Sequence, residues 1–510
     1  LIISILRPSL KFGTHSMMES ACITYTFESA KVYKASFKKG NRFILFAIGV
    51  LISTFLEAQS VMISPEISLK NDFAYYVLKL DNGISVVRDR AYKLIIQNLD
   101  QDFNWSIEKN IELKGKKWRI IEVYSHHNNI GVLYATKLKS ETVILYAIYD
   151  HNGIFISEKQ LLNSYDVELP LDVNLKSSDD LNWVSLIFKD RKQEKWMCLY
   201  NRGQDSLYYT VKADSLFHFD AHSVQDVLLN NNGDFYILGP NVEQERQVKN
   251  KDFHIYGINH MGQLILDKKL QLVEKDIYDC VLMYQDSFSK LLLVGIYKEK
   301  MNGGPKGYLV QNVLEDDQIV FIEFNENLIK SLTGKTKKSG MSDVNLKIKN
   351  IQMMVDGSWL MFLENSRELS RKPYFNSTQD NTGFGPMKWV DYYYDDILVS
   401  CIDSNNSLIW EQVLPKKQYS QDDEGLFSSF FVMANTSFLR IIFNDEIKNE
   451  STVSEYILRS DGRFIRKSVL NTSYKNLNLR IPDAFQKDAS TLIIPSESNG
   501  KMNLVQIILD

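Results

Sequence analysis

The chain is poor in the residues that usually declare a chemistry. Its 510 residues include only four cysteines, eight histidines and ten prolines. So few cysteines at wide spacing exclude a disulfide framework. The scarcity of proline leaves no Pro-rich linker to divide the chain, which weighs against a pair of β-sandwich domains. No G-x-S-x-G, Walker A or strand-following G-x-G-x-x-G motif occurs, so the common acyl-transfer and nucleotide signatures are missing. Charge of one sign is also lacking. There are 59 basic and 63 acidic residues, a formal net of −4, which argues against nucleic acid held by bulk charge.

One apolar run stands out near the start. Lys38, Lys39 and Arg42 precede Phe43–Leu56, which is apolar apart from Ser53 and Thr54, and the small residue Ala58 follows. That order is a secretory signal over 38–58. At about fourteen residues the run is short of the ~20 that span a bilayer as a helix. Residues 1–37 are then an upstream or non-native extension lost with the signal. The expected protein is exported, to the periplasm, the outer membrane or the medium, with no transmembrane span after signal removal. The remaining cysteines, Cys198, Cys280 and Cys401, sit in apolar runs and are expected to be buried free thiols.

What is abundant is a rhythm. IYDHNGIFIS from Ile148, INHMGQLIL from Ile258, CIDSNNSLIW from Cys401 and LRSDGRFIRK from Leu458 each place an Asn, Asp or Gly turn between two β-rich runs. Asp100, Asn201 and Asn325 supply weaker copies, and the alternating runs read as half-buried strands. Counted from Asp150, Asn259, Asp403 and Asp461 with these fillers, the period is near or above that of propeller blades. Around Asn259 two hairpins follow one another, enough for one four-stranded antiparallel blade. The fold class is therefore all-β, a single β-propeller over 59–510 with four-stranded blades, eight in number or alternatively seven. The last unit lacks a fourth strand, which Val61–Leu69 can supply, closing the ring and removing an exposed edge.

Candidate sites are sparse. His218 and His222 have i, i+4 spacing but no third ligand, and the Asp-Asn-Thr-Gly at 380–383 departs from a calcium loop, so no metal site is assigned. The insertion at about 366–395 ends in the aromatic run Tyr392, Tyr393, Tyr394. The charged stretch after Trp410 places Lys416, Lys417, Gln418, Asp422 and Asp423 on one loop beside it. These eight residues form the candidate binding surface.

Two resemblances follow from quoted residues. CIDSNNSLIWEQ resembles the repeat of quinoprotein-type propellers through Asp403 and Trp410. Ser407 stands where glycine is usual there, and most other repeats lack the tryptophan. The resemblance thus implies no pyrroloquinoline quinone and no other cofactor. It points instead to cofactor-free relatives that act as envelope scaffolds. The run from YYYDDILVSCI to GLFSSF is similar to exported proteins of unknown function from Bacteroidota and transfers no catalytic residue. The expected function is a binding or scaffold module for an envelope protein or glycan. The alternative is a carbohydrate-active hydrolase or lyase with acidic residues at the channel mouth.

Overall fold

The repeated turns have one geometry. At Asp150 the backbone N–H donates to Ile154 O (2.9 Å) and Gly153 N–H donates back to Asp150 O (2.9 Å). The Asp150 carboxylate accepts from the N–H groups of Asn152 and Ile154, both at 2.8 Å. The same pattern recurs at Asn230, Asn259 and Asp403. The fourth residue of each turn has positive φ: Gly153, Gly233, Gly262 and Asn406. Asparagine tolerates that region better than most side chains, so the turn at 403 forms without glycine. Two of the sequence assignments shift. In the turn near Asp461 the first position is Arg459, whose N–H bonds Arg463 O. Asn325 begins no hairpin. It caps the helix Glu326–Thr333, accepting from Leu328 N–H.

These hairpins build eight antiparallel sheets in the computed structural model, which describes residues 60–509 apart from 127, 140, 165–172, 190–193, 213–223, 241–252, 300–302, 316–317, 335–337, 372–388, 446–451 and 473–476. The proposed signal and its upstream extension lie outside the described residues. Blades one to seven occupy 72–111, 118–164, 173–212, 226–269, 275–323, 346–414 and 430–471 in chain order. Blade eight is completed from both ends of the chain. Val61–Ile63 and Ile67–Ser68 pair antiparallel with Lys501–Ile508, which pairs in turn with Thr491–Ser498. The protein is an eight-bladed β-propeller closed by its N-terminal strand, as the missing strand of the last unit required.

Burial explains the strand sequences. In each blade the second and third strands are buried on both faces, so they read as continuous apolar runs rather than as the half-buried alternation expected from the hairpins. In blade six, Trp359, Met361 and Leu363 pack toward blade five, while Leu360 and Phe362 pack toward blade seven. A period of two thus feeds two different cores. Eight apolar clusters fill the eight blade junctions, the last joining Ile67, Ile493 and Leu504 of blade eight to Ile84, Val86 and Leu99 of blade one. Each fully buried Leu, Ile or Phe adds roughly 1.5–3 kcal/mol to these junctions. The three described cysteines are free and buried.

Aromatic side chains also dock on the next blade's turn. Trp410 Nε1 donates to Ser460 O at 3.0 Å, and its ring lies where a Cβ on Gly462 would sit, 2.9 Å away. Trp183 does the same over Gly233, donating to Asn231 O at 3.2 Å. Glycine is needed at both places for φ and for the close ring.

Candidate functional site

The first strands of successive blades lie alongside one another at the centre, as with Asp226–Leu229 beside Lys275–Gln285 and Lys275–Gln285 beside Leu346–Met353. Carboxylates on these strands satisfy their neighbours' backbone. Asp226 accepts from Leu282 N–H at 2.6 Å and Asp279 from Ile348 N–H at 2.9 Å. Burial raises the Asp226 pKa, and the bond from Leu282 works against that rise. These acids bridge adjacent blades.

A meander of this kind puts the hairpin turns on one face of the ring and the second-to-third-strand turns and blade connectors on the other. On the connector face blade six departs from the pattern. Its second and third strands, Trp359–Arg371 and Trp389–Ile402, run past the blade and stay paired from Ser366↔Tyr394 to Arg371↔Trp389. The connector to blade seven adds a further strand, Gln418–Gln421, paired Tyr394↔Gln418, Tyr393↔Tyr419 and Tyr392↔Ser420. The insertion expected as a loop over 366–395 is thus a raised three-stranded sheet in its described part. Residues 372–388, with the Asp-Asn-Thr-Gly turn, lie outside the described residues, as do His218 and His222.

The sheet separates the three tyrosines, because neighbours on a strand point to opposite faces. Tyr392 and Tyr394 face the connector, where a Cβ on Gly425 would meet the Tyr394 hydroxyl at 2.6 Å. Tyr393 faces away. Its ring lies 5.2 Å from that of Tyr419, with the Arg367 guanidinium 5.4 Å above it. On the same face Arg371 grips buried Asp391 through two bonds, one of them Nη2 to Oδ1 at 2.6 Å. Tyr419 OH also donates to Asp391 Oδ1, at 2.8 Å, and this bond is the main reason the Tyr419 pKa rises. Leu369 and Trp389, 49% and 40% exposed, complete an outward surface of aromatic, apolar and cationic groups.

Beneath the sheet lies a buried ionic cluster. Lys416 Nζ is 2.7 Å from Glu364 Oε1, with both side chains fully enclosed. Lys416 also donates to Tyr394 O (2.9 Å) and Gln418 Oε1 (2.7 Å). Ser429 Oγ donates to Glu364 at 2.7 Å, and Lys349 stands 3.5 Å from it. Burial lowers the Lys416 pKa, while Glu364 opposes that shift. Gln418 donates to Asn444 O at 2.6 Å, tying the connector to blade seven.

The structure therefore places all eight sequence candidates on the raised sheet and its connector, but on different faces and in different roles. Lys416 and Gln418 are buried and bonded within the protein. Asp422 accepts from Val390 N–H at 2.8 Å, and Asp423 accepts from Gly425 N–H at 3.0 Å and Ser420 Oγ at 2.7 Å, so both acids shape the connector. Lys417 is exposed and lines a groove of about 580 Å³ between blades six and seven. Arg466 reaches into this groove, paired with Asp445 and stacked over Phe443 and Tyr456. Sequence reasoning missed Arg367, Arg371, Asp391, Trp389 and Tyr419. Reading W-V-D-Y-Y-Y as a strand would have placed Trp389, Asp391 and Tyr393 on one face. Among the described residues no cluster of three or more His, Cys, Asp or Glu is placed to hold a metal ion.

No protein-family model matches the chain, and no curated protein matches it. Among solved structures it is similar to polysaccharide lyase Uly1, at 10% identity over 76% of this chain and 89% of that chain, with a TM-score of 0.38. It is similar to the β-propeller domain of the Trilobed protease from Pyrococcus furiosus, at 11% identity over 78% and 96% of the two chains, TM-score 0.36. A protein of unknown function from Bacteroides caccae is similar at 13% identity over 69% and 94%, TM-score 0.26. Identities and scores this low carry no argument about activity.

Proposed function

We propose that the protein is an exported propeller that binds an envelope protein or glycan through the raised sheet of blade six. The observation behind this reading is the outward face held by the Arg371–Asp391–Tyr419 network. That network fixes Tyr419, against which Tyr393 packs, while Arg367 is held over Tyr393 and beside Asp395; aromatic and arginine anchors on an ordered base are what recognition surfaces use. Export rests on the charge, apolar run and small residue of 38–58. Among the described residues no helix is long and apolar enough to cross a membrane.

The test is affinity purification of the tagged protein from its native envelope after crosslinking, followed by mass spectrometry. A stoichiometric partner retained by wild type and lost with Trp389→Ser/Tyr393→Ser supports the reading. Recovery alone, or a partner indifferent to both changes, defeats it. The N-terminus of the cellular protein checks export: a start near Gln59 agrees, and a retained 38–58 segment on a cytoplasmic protein does not.

A carbohydrate-active enzyme is the second reading, favoured only by the groove where Asp396, Asp445 and Arg466 converge. Release of reducing ends or unsaturated products from envelope polysaccharides, abolished by Asp396→Asn, would establish it.

A further inference from the structure

On the turn face, opposite the raised sheet, blades five and six enclose a cavity of about 200 Å³. Blade five contributes Gln285, Lys290, Asn312 and Glu315, and the 403–406 turn of blade six contributes Asn405 and Asn406. We infer that this cavity is a binding site for a neutral, hydroxyl-rich ligand the size of one sugar ring.

Three observations carry this inference. First, Asn312 is 3% exposed, and its Oδ1 is buried without a hydrogen-bond partner among the described residues. Its Nδ2 already donates to Glu315 Oε2 at 2.5 Å. A buried acceptor left open is uncommon in a native protein, and this one belongs to a residue of the cavity wall. Second, Gln285 is buried as well, and among the described residues its Nε2 meets only the thioether of Met353 at 3.4 Å, a weaker acceptor than a hydroxyl oxygen. Third, the lining chemistry is amide-rich. Carboxamides both donate and accept, as hydroxyls do, whereas Lys290 and Glu315 oppose each other and favour neither an anion nor a cation.

An exposed aromatic ring stands next to the lining residue Gly357. Phe288, 51% exposed, lies against Gly357, where a Cβ would come within 3.3 Å of its ring. Gly357 has φ +83, so both the turn and the ring require glycine. An exposed aromatic ring next to a cavity lined with amides is compatible with a sugar ring, which has one apolar C–H face and a hydroxyl edge. The volume corresponds to roughly six or seven waters. That admits one ring, not an oligosaccharide. This site shares no residue with the raised sheet, so it stands or falls independently of the proposed partner-binding surface.

The experiment is ligand-observed NMR and calorimetry on the purified protein with glucose, galactose and N-acetylglucosamine, using glucosamine and sialic acid as charged controls. Saturable millimolar binding of at least one neutral sugar, tighter than either charged control, is expected. Asn405→Ala, on the exposed rim, and Asn312→Leu should each weaken binding about tenfold. Phe288→Ala should weaken it as well, while Tyr393→Ser should leave it unchanged. The Asn405 variant keeps the test decisive should Asn312→Leu fail to fold. No saturable neutral-sugar binding, which would mean that water alone fills the cavity, overturns the inference. So does binding indifferent to Asn405→Ala.

Discussion

Replacing Lys416 by methionine should destabilise the protein by about 3 kcal/mol, and the value follows from its surroundings. The 2.7 Å contact to Glu364, with both side chains enclosed, corresponds to about 6 kcal/mol of direct attraction at an effective dielectric near 20. Desolvation of both ions offsets much of that, so the pair contributes little net stability as a pair. Removing one partner is different, because it strands the other charge, at a cost of about 3–5 kcal/mol. Glu364 would keep Ser429 Oγ at 2.7 Å and the partly exposed Lys349 at 3.5 Å, which places the loss at the lower end. Urea unfolding followed by tryptophan fluorescence, with the slope held common, measures it. Glu364→Gln/Lys416→Met should recover at least half of the loss, since no bare carboxylate remains. A single variant within about 1 kcal/mol of wild type, or a double variant less stable than Lys416→Met, would refute the placement of this pair.

Other expectations follow from the same structure. Burial, with Asp72 nearby, raises Asp89 from 3.8 to about 6. The folded state then holds a proton that the unfolded state has released, so stability should fall as pH rises from about 3.8 to about 6, and Asp89→Asn should flatten that slope in pH-dependent melts. An unchanged slope would show that Asp89 titrates alike in the folded and unfolded protein. Gly462→Ala should cost about 1–3 kcal/mol, because φ is +82 and the new Cβ would meet Trp410 at 2.9 Å; thermal melts within about 0.5 kcal/mol of wild type would contradict the docking. Ile67→Asp should open the ring by placing a charge between blades eight and one, where Ile67 is 6% exposed. The unpaired edge of Lys501–Ile508 should then drive association visible by size-exclusion chromatography, whereas a stable monomer would argue against closure by this strand.

The local features of the fold were legible in the residues. Asp150, Asn259 and Asp403 announce their hairpins because an Asx side chain bonds the backbone two and four residues ahead, an interaction within one turn. Strand counting then implied that Val61–Leu69 completes the last blade, since an unpaired edge is a liability wherever it lies. What sequence alone could not decide was which polar side chains face outward. Lys416 and Gln418 read as loop residues, yet a strand pairing across the connector and carboxylate Glu364, fifty-two positions earlier in the chain, enclose them. Tyr392, Tyr393 and Tyr394 read as one aromatic patch, but the pleat of a strand sends them to two faces. Arg371, Asp391 and Tyr419 meet only because distant segments are registered side by side. Turns and apolar runs are set by neighbours along the chain. Burial and the composition of a surface are set by neighbours in space, and here only the closed ring and its raised sheet decided them.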